Sequence, residues 1–368
     1  MRVAFDYQTF CMQPYGGISR YFTRIAEQLL KLDVNVCTFS GVYRNFYLDD
    51  LPKTTVKGRR VTAYPPKSIR LFQAGNRLLG KYSMGKWRPD VVHETYYSRY
   101  ATAPSGCPTV VTVHDMIHEL YPESFPKKDK TSAIKKIAVD RAAHVICISE
   151  STKRDLVRFF SVPEEKISVV YHGFEKLPDD ATWDSRVSPK QKPFLLYVGS
   201  RDGYKNFAKM LSAISSSRKL IQDFDVVAFG GGGFSVDELA LIARLGFSQG
   251  QVTQVGGGDA VLGSLYKAAR AFVYPSVYEG FGLPPLEAMA HSCPVISSNS
   301  SSMPEVIGNA CEYFDPLSVE DMAAAIERVV YDSDAISRLQ TLGEERLEYF
   351  SWQRCAADTL SVYQSLLR

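Results

Sequence analysis

The chain contains no CxxC pair, and its seven cysteines, at positions 11, 37, 107, 147, 293, 311 and 355, lie far apart. Such spacing offers neither the ligand pairs of a structural zinc site nor an even-numbered disulfide framework. Cys147 and Cys293 sit inside apolar runs, so reduced, buried thiols are expected. No apolar run approaches the ~20 residues that span a bilayer. The start, MRVAFDYQTF, lacks the basic, apolar and small-residue order of a signal peptide. A cytoplasmic location is therefore expected. A Walker loop is also missing, which argues against a P-loop nucleotidase. Charge is nearly balanced, 43 Lys and Arg against 40 Asp and Glu, so nothing demands a nucleic-acid partner and none is expected. Short-period repeats and low-complexity tracts are absent as well.

What is present is alternation. Apolar runs at 2–5, 35–39, 90–93, 109–114, 144–148 and 167–171, then 194–198, 225–229, 251–255, 271–274 and 294–297, are bounded by Gly, Pro or His. Runs this short and this rich in Val, Ile, Tyr and Phe fit strands buried on both faces. Stretches with helical spacing lie between them, at 18–32, 131–142, 150–160, 206–216, 235–245, 262–269, 284–290 and 319–331. Strand–helix alternation builds doubly wound parallel sheets, and 368 residues exceed what one core organises. The alternation breaks at 176–192, which holds Pro178 and Pro189 and little apolar periodicity; it reads as a linker. The expectation is an α/β chain of two Rossmann-like domains, 1–178 and 191–350. Its tail has helical spacing at Trp352, Ala356, Leu360 and Tyr363.

In such sheets ligands bind beyond the carboxyl ends of the strands. Polar residues just after an apolar run are therefore the candidates. After the run 271–274 come Glu279, the turn Gly280-Phe281-Gly282, then Leu283, two prolines and Glu287 on a helix. Glycines let backbone amides approach a ligand, and a helix start adds N–H groups and partial positive charge. A carboxylate accepts two hydroxyl hydrogen bonds at once, which suits the vicinal diols of a ribose or hexose. On spacing alone, an exposed loop glutamate and a helix-capping one fit as well.

Arg201, Lys205 and Asn206 follow the run 194–198 and open the next helix. Two cations there would neutralise a diphosphate leaving group; a solvated basic loop is the alternative. Gly16 and Gly17 precede the first long helix and form either an anion-binding nest or a plain turn. His93-Glu94 and His114-Asp115 end two further runs. Two such pairs tilt the reading from structural histidines toward function, facing a cleft between the domains.

Asp223-Phe224-Asp225 has the form of a metal-binding Asp-x-Asp but stands at the start of a run. That is the wrong sheet edge, so no metal is expected there. Gly230–Gly233 ends the same run and reads as a tight turn near a nucleotide. The segment 67–88 carries Lys67, Arg70, Arg77, Lys81, Lys86 and Arg88 with no acidic residue, interleaved with Leu71, Leu78, Leu79, Tyr82 and Trp87. It suits an anionic membrane surface or an ordinary surface helix in equal measure.

In this order, PYGGIS, VHD, ISESTKRDL, VGSRDGYKN, GSLYKAARAFVYPS, SVYEGFGLPPLEAMAHSCPVISSN and PEVIGNAC resemble the retaining family 4 glycosyltransferases of the GT-B fold, over nearly the whole chain. The early GGI and VHD look most like bacterial enzymes of O-antigen and exopolysaccharide assembly. The resemblance implies a hexosyltransferase that keeps the anomeric configuration and needs no metal or other cofactor. Its donor would be a nucleotide-diphosphate sugar, UDP-glucose-type or GDP-mannose, and its acceptor a glycan or lipid-linked oligosaccharide. It implies donor contacts from Gly16, Gly17, Arg201, Lys205, Asn206, Gly280, Phe281, Gly282, Leu283 and Glu287, with Glu279 on the hexose and Glu287 on the ribose. His114 and Asp115 would line the reacting centre, His93 and Glu94 the acceptor side, and a helix at 351–368 would return to the first domain. One departure stands out: Ser200 follows Gly199 where many relatives have Arg, and Arg201 comes one later. The alternatives are a sugar phosphorylase or hydrolase on the same fold, or a non-catalytic nucleotide-sugar binder. Peripheral contact with the inner face of the plasma membrane would go with a lipid-linked acceptor.

Overall fold

In this computed structural model, which describes residues 1–179, 192–201 and 203–367, the chain divides into two compact units. One is Met1–Gly173 with Ser351–Arg368, the other Phe174–Phe350. The expected linker 176–192 falls mostly outside the described residues. Its beginning is laid on the second unit, as set out below.

The first unit carries β1 (Arg2–Phe5), β2 (Asn35–Tyr43), β3 (Val56–Arg60), β4 (Val91–Glu94), β5 (Thr109–Val113), β6 (His144–Cys147) and β7 (Ile167–Val169). They form one parallel sheet in the order β3-β2-β1-β4-β5-β6-β7. The intervening helices are α1 (Gln8–Met12), α2 (Gly17–Lys31), α3 (Ile69–Trp87), α4 (Ile117–Leu120), α5 (Thr131–Arg141) and α6 (Glu150–Phe160). α2 turns Tyr21, Phe22, Ile25 and Leu29 onto the sheet beside Val3, Phe5 and Val91, an i, i+4, i+8 stripe of the kind that lays a helix on a core. The Ser149 hydroxyl caps α6 by accepting from the Thr152 amide at 3.0 Å.

The second unit carries β8 (Phe194–Val198), β9 (Asp225–Phe229), β10 (Val252–Val255), β11 (Ala271–Tyr274), β12 (Val295–Ser298) and β13 (Glu312–Phe314), parallel in the order β10-β9-β8-β11-β12-β13. Its helices are α7 (Phe207–Ser216), α8 (Arg218–Asp223), α9 (Val236–Arg244), α10 (Asp259–Ala268), α11 (Leu283–Ala290), α12 (Met303–Ile307), α13 (Val319–Val330) and α14 (Ser333–Leu347). The chain winds outward from β8 to β10, then jumps back to place β11 against β8. This reversal is the topological switch point, where open α/β sheets hold ligands. The final helix, α15 (Trp352–Ser365), belongs to the first unit and packs Trp352, Cys355, Ala356, Val362 and Tyr363 into the same cluster as Tyr21 and Phe22. Gly173 lies so close to Trp352 that a Cβ there would meet its backbone nitrogen at 2.5 Å.

The segment entering the second unit is fixed to it. The Leu177 carbonyl accepts from His291 Nε2 at 3.0 Å, and Asp179 pairs with Lys267 at 2.8 Å. The Pro178 carbonyl sits where a Cβ on Gly263 of α10 would be, at 2.3 Å.

Two strands escaped the sequence reading. β3 is an edge strand of sequence VKGRR whose last four residues are exposed; it is held through its backbone and has no apolar run to announce it. β13 has three residues. The helices α1, α4, α8, α12 and α14 were likewise not anticipated. Every cysteine is free, and six of the seven are buried.

Candidate functional site

The loops after β8 and β11, the two strands at the switch point, are tied together by their backbones. Gly199 leaves β8 at φ 137, a conformation that favours glycine, while its amide still donates to the Phe229 carbonyl at 3.0 Å. Asn206, at φ 61 before α7, donates from Nδ2 to the Pro275 carbonyl at 3.1 Å and the Pro316 carbonyl at 2.8 Å. The Val277 amide donates to the Tyr204 carbonyl at 2.8 Å. These bonds carry Lys205 to Glu279, whose Oε1 accepts from Lys205 Nζ at 2.7 Å. The side chains are 18% and 10% exposed, so the pair is largely withdrawn from solvent yet open at one side.

Glu279 is held from behind. Its carbonyl accepts from Ser301 Oγ at 2.6 Å and Ser302 Oγ at 2.9 Å, and Ser302 also reaches the Phe281 carbonyl at 2.8 Å. Burial, with the adjacent Glu279 carboxylate second, pushes the Tyr274 phenol well above its usual range. Phe281 is 4% exposed and meets Phe350 edge-on, with centroids 5.6 Å apart; its ring anchors the turn, leaving its backbone for any ligand contact. Gly282, at φ 107, turns the chain into α11. Pro284 and Pro285 carry no N–H, so the donors of that helix start belong to Leu283 and Leu286. Glu287 lies on α11, and its Oε2 accepts from Tyr266 OH at 3.3 Å.

Arg201 is placed differently from the expectation. Its Nε meets Glu238 Oε1 at 2.5 Å, and its guanidinium donates to the carbonyls of Gly230, Gly232 and Gly233 at 2.9–3.0 Å. Burial pushes Glu238 up, but the bonds from Arg201 and Ser235 outweigh it and hold this carboxyl below its ordinary value. The one-residue shift thus coincides with an Arg that staples the glycine turn after β9, where Gly230, Gly231 and Gly232 all have positive φ. Asp225 opens β9 and Asp223 accepts from Tyr331 OH at 2.8 Å, away from the carboxyl edge. Among the described residues no group of three or more His, Cys, Asp and Glu could hold a metal ion.

In the first unit, Gly16 caps α2 and its carbonyl accepts from the Arg20 amide at 3.0 Å; Gly17 begins the helix. His114 follows β5, edge-on to Tyr21 with centroids 5.2 Å apart. Its Nε2 is buried with no hydrogen-bond partner. Burial lowers its pKa to about 4, opposed by Asp115 and aided by Lys135, so the ring is neutral at physiological pH. Asp115 Oδ1 accepts from the Ile117 amide at 3.1 Å, and its carbonyl from Lys135 Nζ at 2.8 Å.

His93 and Glu94 do not sit where the strand-end rule put them. His93 is fully buried, its Nδ1 2.6 Å from Tyr363 OH and its Nε2 2.9 Å from Thr112 Oγ1. Burial, with His114 adding to it, lowers its pKa to about 3. Glu94, also buried, pairs with Arg141 at 2.6 Å and accepts from Thr102. β4 is buried along its whole length between β1 and β5, so both residues pack inside the layer. Sequence reasoning also missed Lys135, 1% exposed and bound to Glu119 Oε2 at 2.8 Å; a lysine beside a second lysine on a helix gives no signal of burial.

Two units with parallel sheets, each with a strand-order reversal, define a GT-B fold. Family models match along both. Residues 15–176 match "Glycosyltransferase Family 4" and 180–346 match "Glycosyl transferases group 1". The chain is 30% identical to the O-antigen chain mannosyltransferase B of Escherichia coli, covering 70% of this chain and 70% of that protein. It is 32% identical to the O-antigen chain mannosyltransferase RfbU of Salmonella typhimurium over 62% of each. The sucrose-phosphate synthase structure from Thermosynechococcus elongatus superposes at TM-score 0.76 with 20% identity, covering 100% of this chain and 99% of that one. WaaG, a glycosyltransferase of lipopolysaccharide biosynthesis, gives 0.69 with 18% identity over 98% and 99%. The chain belongs to the family 4 glycosyltransferases.

Proposed function

We propose that this glycosyltransferase moves a hexose from a nucleotide-diphosphate sugar to a glycan or lipid-linked oligosaccharide, with retention of anomeric configuration, in the assembly of a cell-surface polysaccharide. The mannosyltransferase relatives favour GDP-mannose as donor; a structural neighbour solved with UDP-glucose keeps the uridine donor open. The observation that carries the reading is the Lys205–Glu279 pair at the switch point of the second sheet. A carboxylate there accepts hydroxyls of the donor hexose, and the ammonium neutralises charge as the glycosyl–phosphate bond breaks. Lys205 thereby takes the role a divalent metal would otherwise fill. Glu287 is assigned to the ribose, and the Gly280–Leu283 backbone, with Gly16 and Gly17, to the diphosphate. Arg201 shapes the glycine turn and reaches the diphosphate only by leaving Glu238. Neutral His114 offers its buried Nε2 to a sugar hydroxyl, with Asp115 beside it. His93 and Glu94 act as supports for that strand end. The test is Glu279→Ala: transfer of hexose from the donor should fall at least 100-fold while the circular dichroism spectrum is unchanged. Undiminished transfer by a folded variant refutes the assignment.

A lipid-linked acceptor is supported by α3. Asn76 fixes the helix to β2 through both its amide atoms, at 2.8 Å from the Val42 amide and carbonyl. The other face presents Leu71, Leu78, Leu79 and Tyr82, each more than 60% exposed, among Arg70, Lys81, Lys86 and Arg88. An apolar strip of that size flanked by cations fits an anionic bilayer surface. No helix among the described residues is long and apolar enough to cross a membrane.

A further inference from the structure

The stretch that leaves β5 is gathered round one ammonium. Lys135 of α5 has a side chain only 1% exposed. Its Nζ donates to the Asp115 carbonyl at 2.8 Å and to Glu119 Oε2 at 2.8 Å, and lies 3.9 Å from Met116 Sδ. The three hydrogens of an ammonium thus find partners at residues 115, 116 and 119. The Asp115 carboxylate adds a weaker attraction at 3.9 Å. Met116 is fully buried, whereas His114 and Asp115 beside it are half-buried and open to solvent. The turn is therefore anchored from within and presents those two residues at its outer end. The Tyr97 phenol is hydrogen-bonded to the His114 backbone, and its ring centroid lies 5.6 Å from the same ammonium.

Stability does not account for the lysine. Burying a charge pair costs desolvation, and apolar residues of similar volume are often as stable or more so. Fixing a lysine in one rotamer also loses side-chain freedom. A methionine would fill the same space. What the ammonium alone supplies is a fixed Asp115 carbonyl and a positive charge near His114. Other titratable groups that face the His114 ring are uncharged: Tyr21 of α2, His93 of β4 and His172 after β7. Burial lowers the His114 pKa; Asp115 opposes this and Lys135 aids it. A neutral imidazole has a lone pair for a hydroxyl, and an imidazolium has none.

We propose that Lys135 is a positioning residue of the transferase: its ammonium sets the place and the electrostatics of the His114–Asp115 turn and does not itself touch the sugars. The proposal rests on the part given to His114 and Asp115 in the reaction. A displacement of about 1 Å away from the productive geometry can cost on the order of 100-fold in rate, so a support beneath the turn matters as a contact does.

The experiment replaces both charges in the full chain, Lys135→Met with Glu119→Leu, so that no buried carboxylate is left alone. The melting temperature should equal or exceed that of the wild type. The kcat for hexose transfer should fall by at least about ten-fold, with the donor KM unchanged, because Lys205 and Glu279 belong to the other unit. NMR of ¹³C-labelled histidine, with the His114 signal assigned by its loss in His114→Gln, should show that ring titrating at higher pH than in the wild type, since Asp115 then acts without Lys135 against it. A packing role alone would lower the melting temperature and leave kcat and the His114 titration unchanged. If this pair does not fold, Lys135→Gln with Glu119→Gln is read in the same way. A folded pair with wild-type kcat, or with an unmoved His114 titration, overturns the proposal. Wild-type protein that transfers no hexose removes the functional reading instead, and the His114 titration still tests whether Lys135 governs the turn.

Discussion

Acid should unfold the first unit through its buried histidines. His93, His114 and His172 are all held neutral by burial, His93 to about 3 and His114 to about 4, with His172 well below its usual value. In the unfolded chain each ring takes up a proton near pH 6.5. Between pH 6.5 and about 3, the unfolded chain binds protons at these positions that the folded chain refuses, so stability is complete above pH 6.5 and is lost as pH falls. At pH 5 the loss is 1.36 kcal/mol for each of the 1.5 units below 6.5, or about 2 kcal/mol per histidine. Asp6 and Glu94 act in the opposite sense: burial raises both, so the folded state gains protons there on acidification and is supported. A comparison of wild type with His93→Gln cancels these carboxylates. Glutamine keeps polar atoms for Tyr363 and Thr112 but does not titrate. Urea unfolding followed by circular dichroism at pH 7.5, 6, 5.5 and 5 should show the first unit of the wild type losing about 2 kcal/mol more than the variant by pH 5. Parallel pH profiles for the two proteins would refute the account of His93 as a neutral core residue.

Gly263→Ala should lower stability by about 1–3 kcal/mol, despite alanine's better helix propensity, because the new Cβ meets the Pro178 carbonyl at 2.3 Å; thermal melting checks it. Leu78→Glu with Leu79→Glu should abolish co-sedimentation with anionic vesicles and leave neutral-vesicle binding near zero, and equal sedimentation with both lipids would count against the α3 surface. Transfer activity should survive EDTA, whereas Lys205→Met should lose at least 100-fold in kcat; activity lost to the chelator and restored by Mg²⁺ would remove the part given to Lys205.

Much of the scaffold was legible because both sheets are parallel and covered on both faces, which forces strands such as Phe194–Val198 and Ala271–Tyr274 to be continuous apolar runs. β3 was hidden for the converse reason: at the sheet edge its side chains meet solvent, so only the backbone records the strand. The strand-end rule singled out Glu279 and Lys205, which the structure brings together as an ion pair at 2.7 Å beyond two central strands. It misjudged His93, because a residue one short of a strand's end is still inside the layer when neighbours pair on both sides. The engagement of Arg201 by Glu238 joins residues 37 positions apart and depends on how α9 leaves the glycine turn. No local pattern carries that.

The return of α15 makes the first unit discontinuous in the chain, with consequences for its birth. Its sheet is synthesised first, but Trp352 and Tyr363, which cover Tyr21 and Phe22, emerge only after the 177 residues from Phe174 to Phe350. At ~5–20 residues per second this leaves the α2 stripe uncovered for on the order of 10–35 s on the ribosome. The second unit, contiguous in sequence, can close in that interval. The first unit is thus completed after the second has been translated, and a chaperone that shields apolar helix faces would find its longest-lived target in the half of the enzyme made first.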